Sequence, residues 1–221
     1  MDLPLAEYLK PAPAIDCGSW PIKQKAEQIA GGREKIRDKA KSLFYFVRDE
    51  IKYDPYVPRY LPEHYRASKI LERGRGYCVQ KAVLLVALAR AAGIPARLGF
   101  ADIRNYRPFG KLAEIMETNL FVYHGYGDLY IEGKWVKTTP TFDLQLCQEH
   151  RIVPVEFDGT RDAMFHSHDQ DGELHIEYVC YHGHYPDVPL DEITEARKRI
   201  YGAEVAKRLE MADSESSTAS G

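Results

Sequence analysis

One cysteine stands where nucleophilic chemistry is easiest to arrange. Cys78 follows the glycine-spaced run "RGRGY" and opens the apolar stretch "CVQKAVLLVALARAAGIP". If that stretch is a helix, its first N–H groups are unpaired and carry partial positive charge. Both features favour a thiolate, the reactive form of cysteine. The same N–H groups, that of Cys78 included, can hold an oxyanion formed when sulfur attacks a carbonyl. A thiol nucleophile also needs a base, commonly a histidine oriented by a third group. His124, in "FVYHGYGDLYI", is the candidate. Read as a strand, this segment places Gly125 and Gly127 on one face, with His124, Tyr126, Asp128 and Tyr130 on the other. The plainer alternatives are a structural thiol in the core and a histidine that only packs.

The elements that must position these residues are legible in outline. Residues 1–24 are proline-rich without a clear period and read as a surface arm. Residues 25–50 carry a helical pattern broken at Gly31-Gly32. Beyond the break Ile36, Ala40, Leu43, Phe44 and Val47 share one face. That helix should end near Tyr53, because Asp54 precedes Pro55. A proline- and tyrosine-rich loop fills 54–66. The short helix "ASKILERG" can end at Gly74. From Val79 to Ala92 apolar residues occupy almost every side, which predicts a helix buried at the centre of the domain. "ARLGFADI" then reads as a strand, and residues 104–117 are irregular with a possible helical turn. "NLFVYHGYGDLYIEGKWVKTTPTFD" is a hairpin turning at Glu132-Gly133. The last third holds "VPVEFDG", a histidine-rich stretch at 166–184, and a charged helix near 191–211. The tail 212–221 is predicted to be disordered. The expected organisation is an N-terminal arm (1–24), a core (25–150), a packed C-terminal extension (151–211) and the tail.

The segments "GYCVQKAVLLVALARAAGIPARLGF" and "HGYGDLYIEGKWVKTTPT" together resemble the transglutaminase-like superfamily, over roughly residues 40–145. The resemblance implies an α+β, papain-like fold in which a buried helix carrying the cysteine packs on an antiparallel sheet carrying the histidine. It implies thiol-dependent acyl transfer through a thioester, as an amide or peptide hydrolase or a transglutaminase. Cys78 matches the nucleophile of the family and His124 its base. No cofactor or metal is implied, and the expected partner is a peptide or protein amide. Some members of the family have lost their catalytic residues, so a non-catalytic binding module is the alternative.

The sequence departs from the family at the third catalytic position. The second strand of the family carries an aspartate in a Trp-Val-x-x-Asp-Pro-Thr pattern, whereas Thr139 stands there in "WVKTTPT". With a two-residue turn at 132–133, Ile131 faces Lys134 and His124 faces Thr141. Thr139 and Asp143 are then both diagonal neighbours of His124, about 7–8 Å away along the sheet. A carboxylate stabilises an imidazolium better than a hydroxyl does. Asp143 is therefore the expected third residue, Thr139 the aligned alternative. Asp128, two steps along the same strand, reads as a solvated charge.

Composition narrows the remaining classes. The chain has 221 residues and a net charge of −3, which gives no global field for nucleic acid or an anionic membrane. No apolar run approaches the ~20 residues of a membrane helix. The N-terminus lacks a basic start followed by an apolar segment, so a cytoplasmic location is expected. The four cysteines, 17, 78, 147 and 180, form no C-x-x-C pair and are expected to be free thiols. His166, His168, His175, His182 and His184 lack a structural-zinc spacing and are expected to belong to an aromatic, polar extension of the sheet. "DQDGE" is far short of a calcium loop. Arg73 and Arg75 could meet an anion at the helix start but are more simply solvated.

Overall fold

The computed structural model describes residues 4–108 and 116–205. The irregular segment predicted at 104–117 falls partly outside these bounds. The end of the charged helix and the tail fall outside them entirely.

The centre of the molecule is one helix. Cys78–Ala91 form α4, the longest of six named here. Every residue from Val79 to Arg90 is buried, as an all-round apolar sequence requires. Its polar members are used internally. Gln80 donates Nε2 to the carbonyls of Pro58 (2.9 Å) and His64 (3.0 Å). Lys81 donates Nζ to those of Arg48 (3.0 Å) and Ile51 (2.5 Å). Arg90 donates to the carbonyls of Ala96 (2.8 Å), Lys10 (2.6 Å) and Pro186 (2.7 Å). Three long side chains, one amide and two cations, thereby tie Lys10, Pro186 and the 48–64 region to the central helix. Burial pushes the Lys81 ammonium down to about 7.

Helices α1 (Trp20–Ala30), α2 (Ile36–Tyr45) and α3 (Ala67–Arg73) surround one side of α4. Two sequence expectations are corrected here. The segment read as a surface arm is built into the core: Tyr8, Ile15, Cys17 and Ile22 are buried, and α1 begins at Trp20, next to Ser19 and Pro21. Proline is compatible with the first turn of a helix, so Pro21 did not exclude one, whereas residues 10–19, with Pro11 and Pro13, are irregular as expected. The helix of 36–45 also does not run to Tyr53. It continues as a π-helical turn over Phe46–Glu50, and Lys52–Tyr53 (β1) then pair in parallel with Arg75–Gly76 (β2). Gly74 ends α3 with φ +69°, the left-handed position its sequence predicts.

The other side of α4 faces a four-stranded antiparallel sheet in the order β5-β4-β3-β6, made by β3 (Ala96–Asn105), β4 (Leu120–Ile131), β5 (Lys134–Thr138) and β6 (Ile176–Tyr185). The β4–β5 register is the expected one, with Ile131 opposite Lys134 and Gly127 opposite Thr138. The histidine-rich segment supplies β6, an extension of the sheet along β3. Two further helices follow the hairpin, α5 (Leu144–Glu149) and α6 (Leu190–Tyr201), and α6 packs on β4. Among the described residues no helix is long and apolar enough to cross a membrane.

The contact between α4 and β4 depends on Gly125. A Cβ built there would lie 2.9 Å from the Cα of Val79 and 3.2 Å from its Cγ2. Backbone cannot yield as a flexible side chain does, so Gly125→Ala is expected to push the start of α4 off the sheet. The expected cost is about 1–3 kcal/mol of stability, measured as a shift in denaturation midpoint. An unchanged midpoint would show that this contact is loose.

Candidate active site

Cys78 is the first residue of α4, and its N-cap neighbour Tyr77 is buried. The thiol is half-buried and lines a cavity. Backbone N–H groups of Gly125 and Val79 donate toward Sγ and favour the thiolate. The guanidinium groups of Arg197 and Arg59 act in the same direction. Desolvation is nevertheless the largest influence, and it raises the thiol above its ordinary value. All four cysteines are free.

His124 lines the same cavity and is buried among aromatic rings. Its ring lies 4.9 Å from Phe165 and 6.2 Å from Tyr178, centroid to centroid. Removed from water, the imidazole is pushed down to about 3. A β-bulge immediately precedes it in β4. Ala101 pairs with His124 but Ile103 pairs with Phe121, and Tyr123 takes φ +54°. Asp102 Oδ1 accepts the Tyr123 N–H at 3.0 Å. His182 of β6 contacts the same oxygen at 2.6 Å and stacks on the Tyr123 ring at 4.1 Å. Bulges bend strands and re-aim side chains, and this one sits against the residue that would be the base. Part of the histidine-rich stretch thus braces the site.

The third position is corrected. His124 Nε2 lies 3.1 Å from Thr139 Oγ1, and that oxygen lies 2.9 Å from Thr141 Oγ1. Asp143 is committed elsewhere. Its Oδ1 accepts the Leu146 N–H (3.0 Å) as N-cap of α5, and its Oδ2 accepts the Tyr53 N–H (3.0 Å). An aspartate just before a helix satisfies that helix's free N–H groups more directly than a ring across the sheet. The diagonal geometry was legible; the capping role of Asp143 was the competing demand. Asp128 is corrected too. It is buried rather than solvated, 2.8 Å from Arg97 and 3.2 Å from His184.

Apart from the tyrosines of 53–65 and 123–130, which the sequence offers as a groove lining, several cavity residues were not singled out from sequence. Arg59 and Tyr77 come from the loop side, and Phe165, Arg197 and Tyr201 from the C-terminal extension. Tyr201 accepts the Val122 N–H at 2.6 Å, which fixes α6 beside the bulge. The one usable signal was the density of tyrosine in 53–65. Nothing in the charged pattern of α6 marks Arg197. Among the described residues no three His, Cys, Asp or Glu side chains are grouped to hold a metal ion.

A family model described as "Transglutaminase-like superfamily" matches residues 23–140. Comparison with curated proteins finds no match. Among solved structures, this chain is similar to a "putative cysteine protease" from Cytophaga hutchinsonii, with a TM-score of 0.47 and 16% identity. The similarity covers 84% of this chain and 55% of that one. It is also similar to a "putative protease" from Parabacteroides distasonis, with a TM-score of 0.38 and 16% identity, over 60% of this chain and 24% of that one. The chain thus spans about half of the first protein's length and a quarter of the second's.

Proposed function

Because this chain belongs to the transglutaminase-like superfamily, we propose that it is a thiol-dependent acyl-transfer enzyme acting on a peptide or small amide, with Cys78 as nucleophile and His124 as base. The observation that carries this reading is that both side chains line one cavity, with the sulfur at the head of a buried helix. His124 Nδ1 takes the thiol proton as Sγ attacks the carbonyl carbon. For that, the other nitrogen must hold the ring hydrogen. Nε2–H then donates to Thr139 Oγ1, whose own hydroxyl donates to Thr141 Oγ1, so the whole chain of contacts is satisfied in one direction. Backbone N–H groups at the start of α4 face the developing oxyanion. Collapse of the tetrahedral intermediate forms the thioester, and the proton on His124 leaves with the amine. Water or a second amine then takes the acyl group.

The resting pair differs from a thiolate–imidazolium couple. Burial raises the thiol and lowers the imidazole, so both shifts favour the neutral forms. Proton transfer then accompanies attack, as in a serine–histidine pair. The same feature favours a second reading, a binding module with a degenerate triad, because Thr139 gives the imidazolium no carboxylate.

p-Nitrophenyl acetate separates the two. The enzyme is expected to take one acetyl group per chain, on Cys78, with release of p-nitrophenol and sensitivity to neutral hydroxylamine. Peptide mapping that finds no acetyl on Cys78 would leave the binding module as the better description.

A further inference from the structure

The cavity around Cys78 has an unbalanced charge. Among its described lining residues are two guanidinium groups, Arg59 and Arg197, and no carboxylate. Arg59 is 7% exposed, and its Nε and Nη2 are buried without a hydrogen-bond partner. Buried guanidinium donors without hydrogen-bond partners are costly, and a guanidinium has five donors to satisfy. Arg197 donates Nη2 to Tyr77 Oη at 3.1 Å, a neutral phenol. Both cations lie against one ring, at 4.5 Å for Arg59 and 5.5 Å for Arg197 from the Tyr77 centroid. Like charges gathered about one ring repel each other, and an anion in the cavity that both line would be attracted by both.

The surroundings hold Arg59 in place. Tyr77 Oη donates to Tyr65 Oη (3.0 Å), which donates to the Arg59 carbonyl (3.0 Å). Gln80, two residues after the nucleophile, grips the adjoining carbonyl of Pro58. The loop bearing the Arg59 guanidinium is thus fastened to the helix bearing the thiol. A preset cation beside a nucleophile, with donors unused, is a built receptor for part of the substrate.

We propose that Arg59 and Arg197 bind a carboxylate of the acyl donor, so that the substrate is a small peptide or amide carrying a carboxylate close to the scissile carbonyl. This rests on the catalytic reading of Cys78 for the word "donor", but the binding itself does not need the sulfur. A planar carboxylate fits the fork of a guanidinium, which is why it is preferred here over a tetrahedral anion.

The test uses full-length Cys78→Ala protein, which cannot be acylated. Titration with N-acetylglycine and with N-acetylglycinamide compares a carboxylate with its neutral counterpart. The acid is expected to bind about 10- to 100-fold more tightly. Arg59→Gln in the same background should bring the two ligands together, and Arg59→Lys, which keeps charge without the fork, should give an intermediate preference. Equal affinity for acid and amide, or a preference that survives Arg59→Gln, overturns the proposal. Tighter binding of inorganic phosphate than of N-acetylglycine overturns the carboxylate assignment. Should Arg59→Gln fail to fold, loss of the preference on Arg197→Gln supports the proposal and its persistence overturns it. Acylation of Cys78 is read separately with p-nitrophenyl acetate, an uncharged ester. Failure of that reaction strikes the catalytic reading and leaves the binding result standing on its own.

Discussion

His124→Ala is expected to slow acylation of Cys78 by p-nitrophenyl acetate about 10³-fold at pH 7, the middle of the range for a positioned general base. Burial has raised the thiol, so at neutral pH little thiolate forms unaided. It has also lowered the imidazole to about 3, so at neutral pH the ring is the free base that attack requires. The loss should shrink as pH rises, because solvent hydroxide increasingly supplies the thiolate. A stopped-flow pH series on the two proteins provides the check. A variant within threefold of the parent at pH 7 would remove His124 from the reaction. A defect that is constant with pH would point to damaged structure instead.

Thr139→Asp is expected to act in the opposite direction. Threonine and aspartate are close in size, and the Thr139 hydroxyl already lies 3.1 Å from His124 Nε2. A carboxylate there would favour the imidazolium, by about 1–3 pKa units for an opposite charge at this range. The thiolate–imidazolium form becomes more populated by the same factor, about 10- to 10³-fold. Alkylation of Cys78 by iodoacetamide at pH 6 should therefore be faster by at least 10-fold. Thr139→Asn, equal in shape and uncharged, is the control and should show no gain. Equal rates for the two variants would show that charge at this position does not reach the thiol.

The same substitution has a consequence for stability. The folded imidazole gains its proton only near pH 3, against an ordinary value of 6.5. Between these values the unfolded chain binds the additional proton, so stability falls as pH drops from 6.5 toward 3. His175, buried and lowered to about 4, adds to the same slope. Raising the folded pKa of His124 narrows its window, so Thr139→Asp should flatten the acid side of the stability curve. A curve parallel to that of the parent would contradict it.

The line from sequence to site can be followed residue by residue. The apolar run after Cys78 has room for neither a polar stripe nor a strand alternation, so a fully buried helix headed by sulfur was determined locally. The two-residue turn at Glu132-Gly133 fixed the β4–β5 register by counting, and that register brought Thr139 within reach of His124. Both are short-range consequences of periodicity and turn chemistry. What tertiary structure alone decided is how competing demands were met. Asp143 had two roles open to it, and the helix it precedes took it, because a cap is made by neighbours in the chain while a triad partner must be brought from across a sheet. The bulge at Tyr123 depends on Asp102 and His182, contributed by two other strands. The charge of the cavity depends on Arg59 and Arg197, 138 positions apart by their residue numbers, and no local pattern in either segment marks them. Long-range packing places such pairs, and desolvation, which exists only once the chain has closed around a group, sets the protonation of Cys78 and His124.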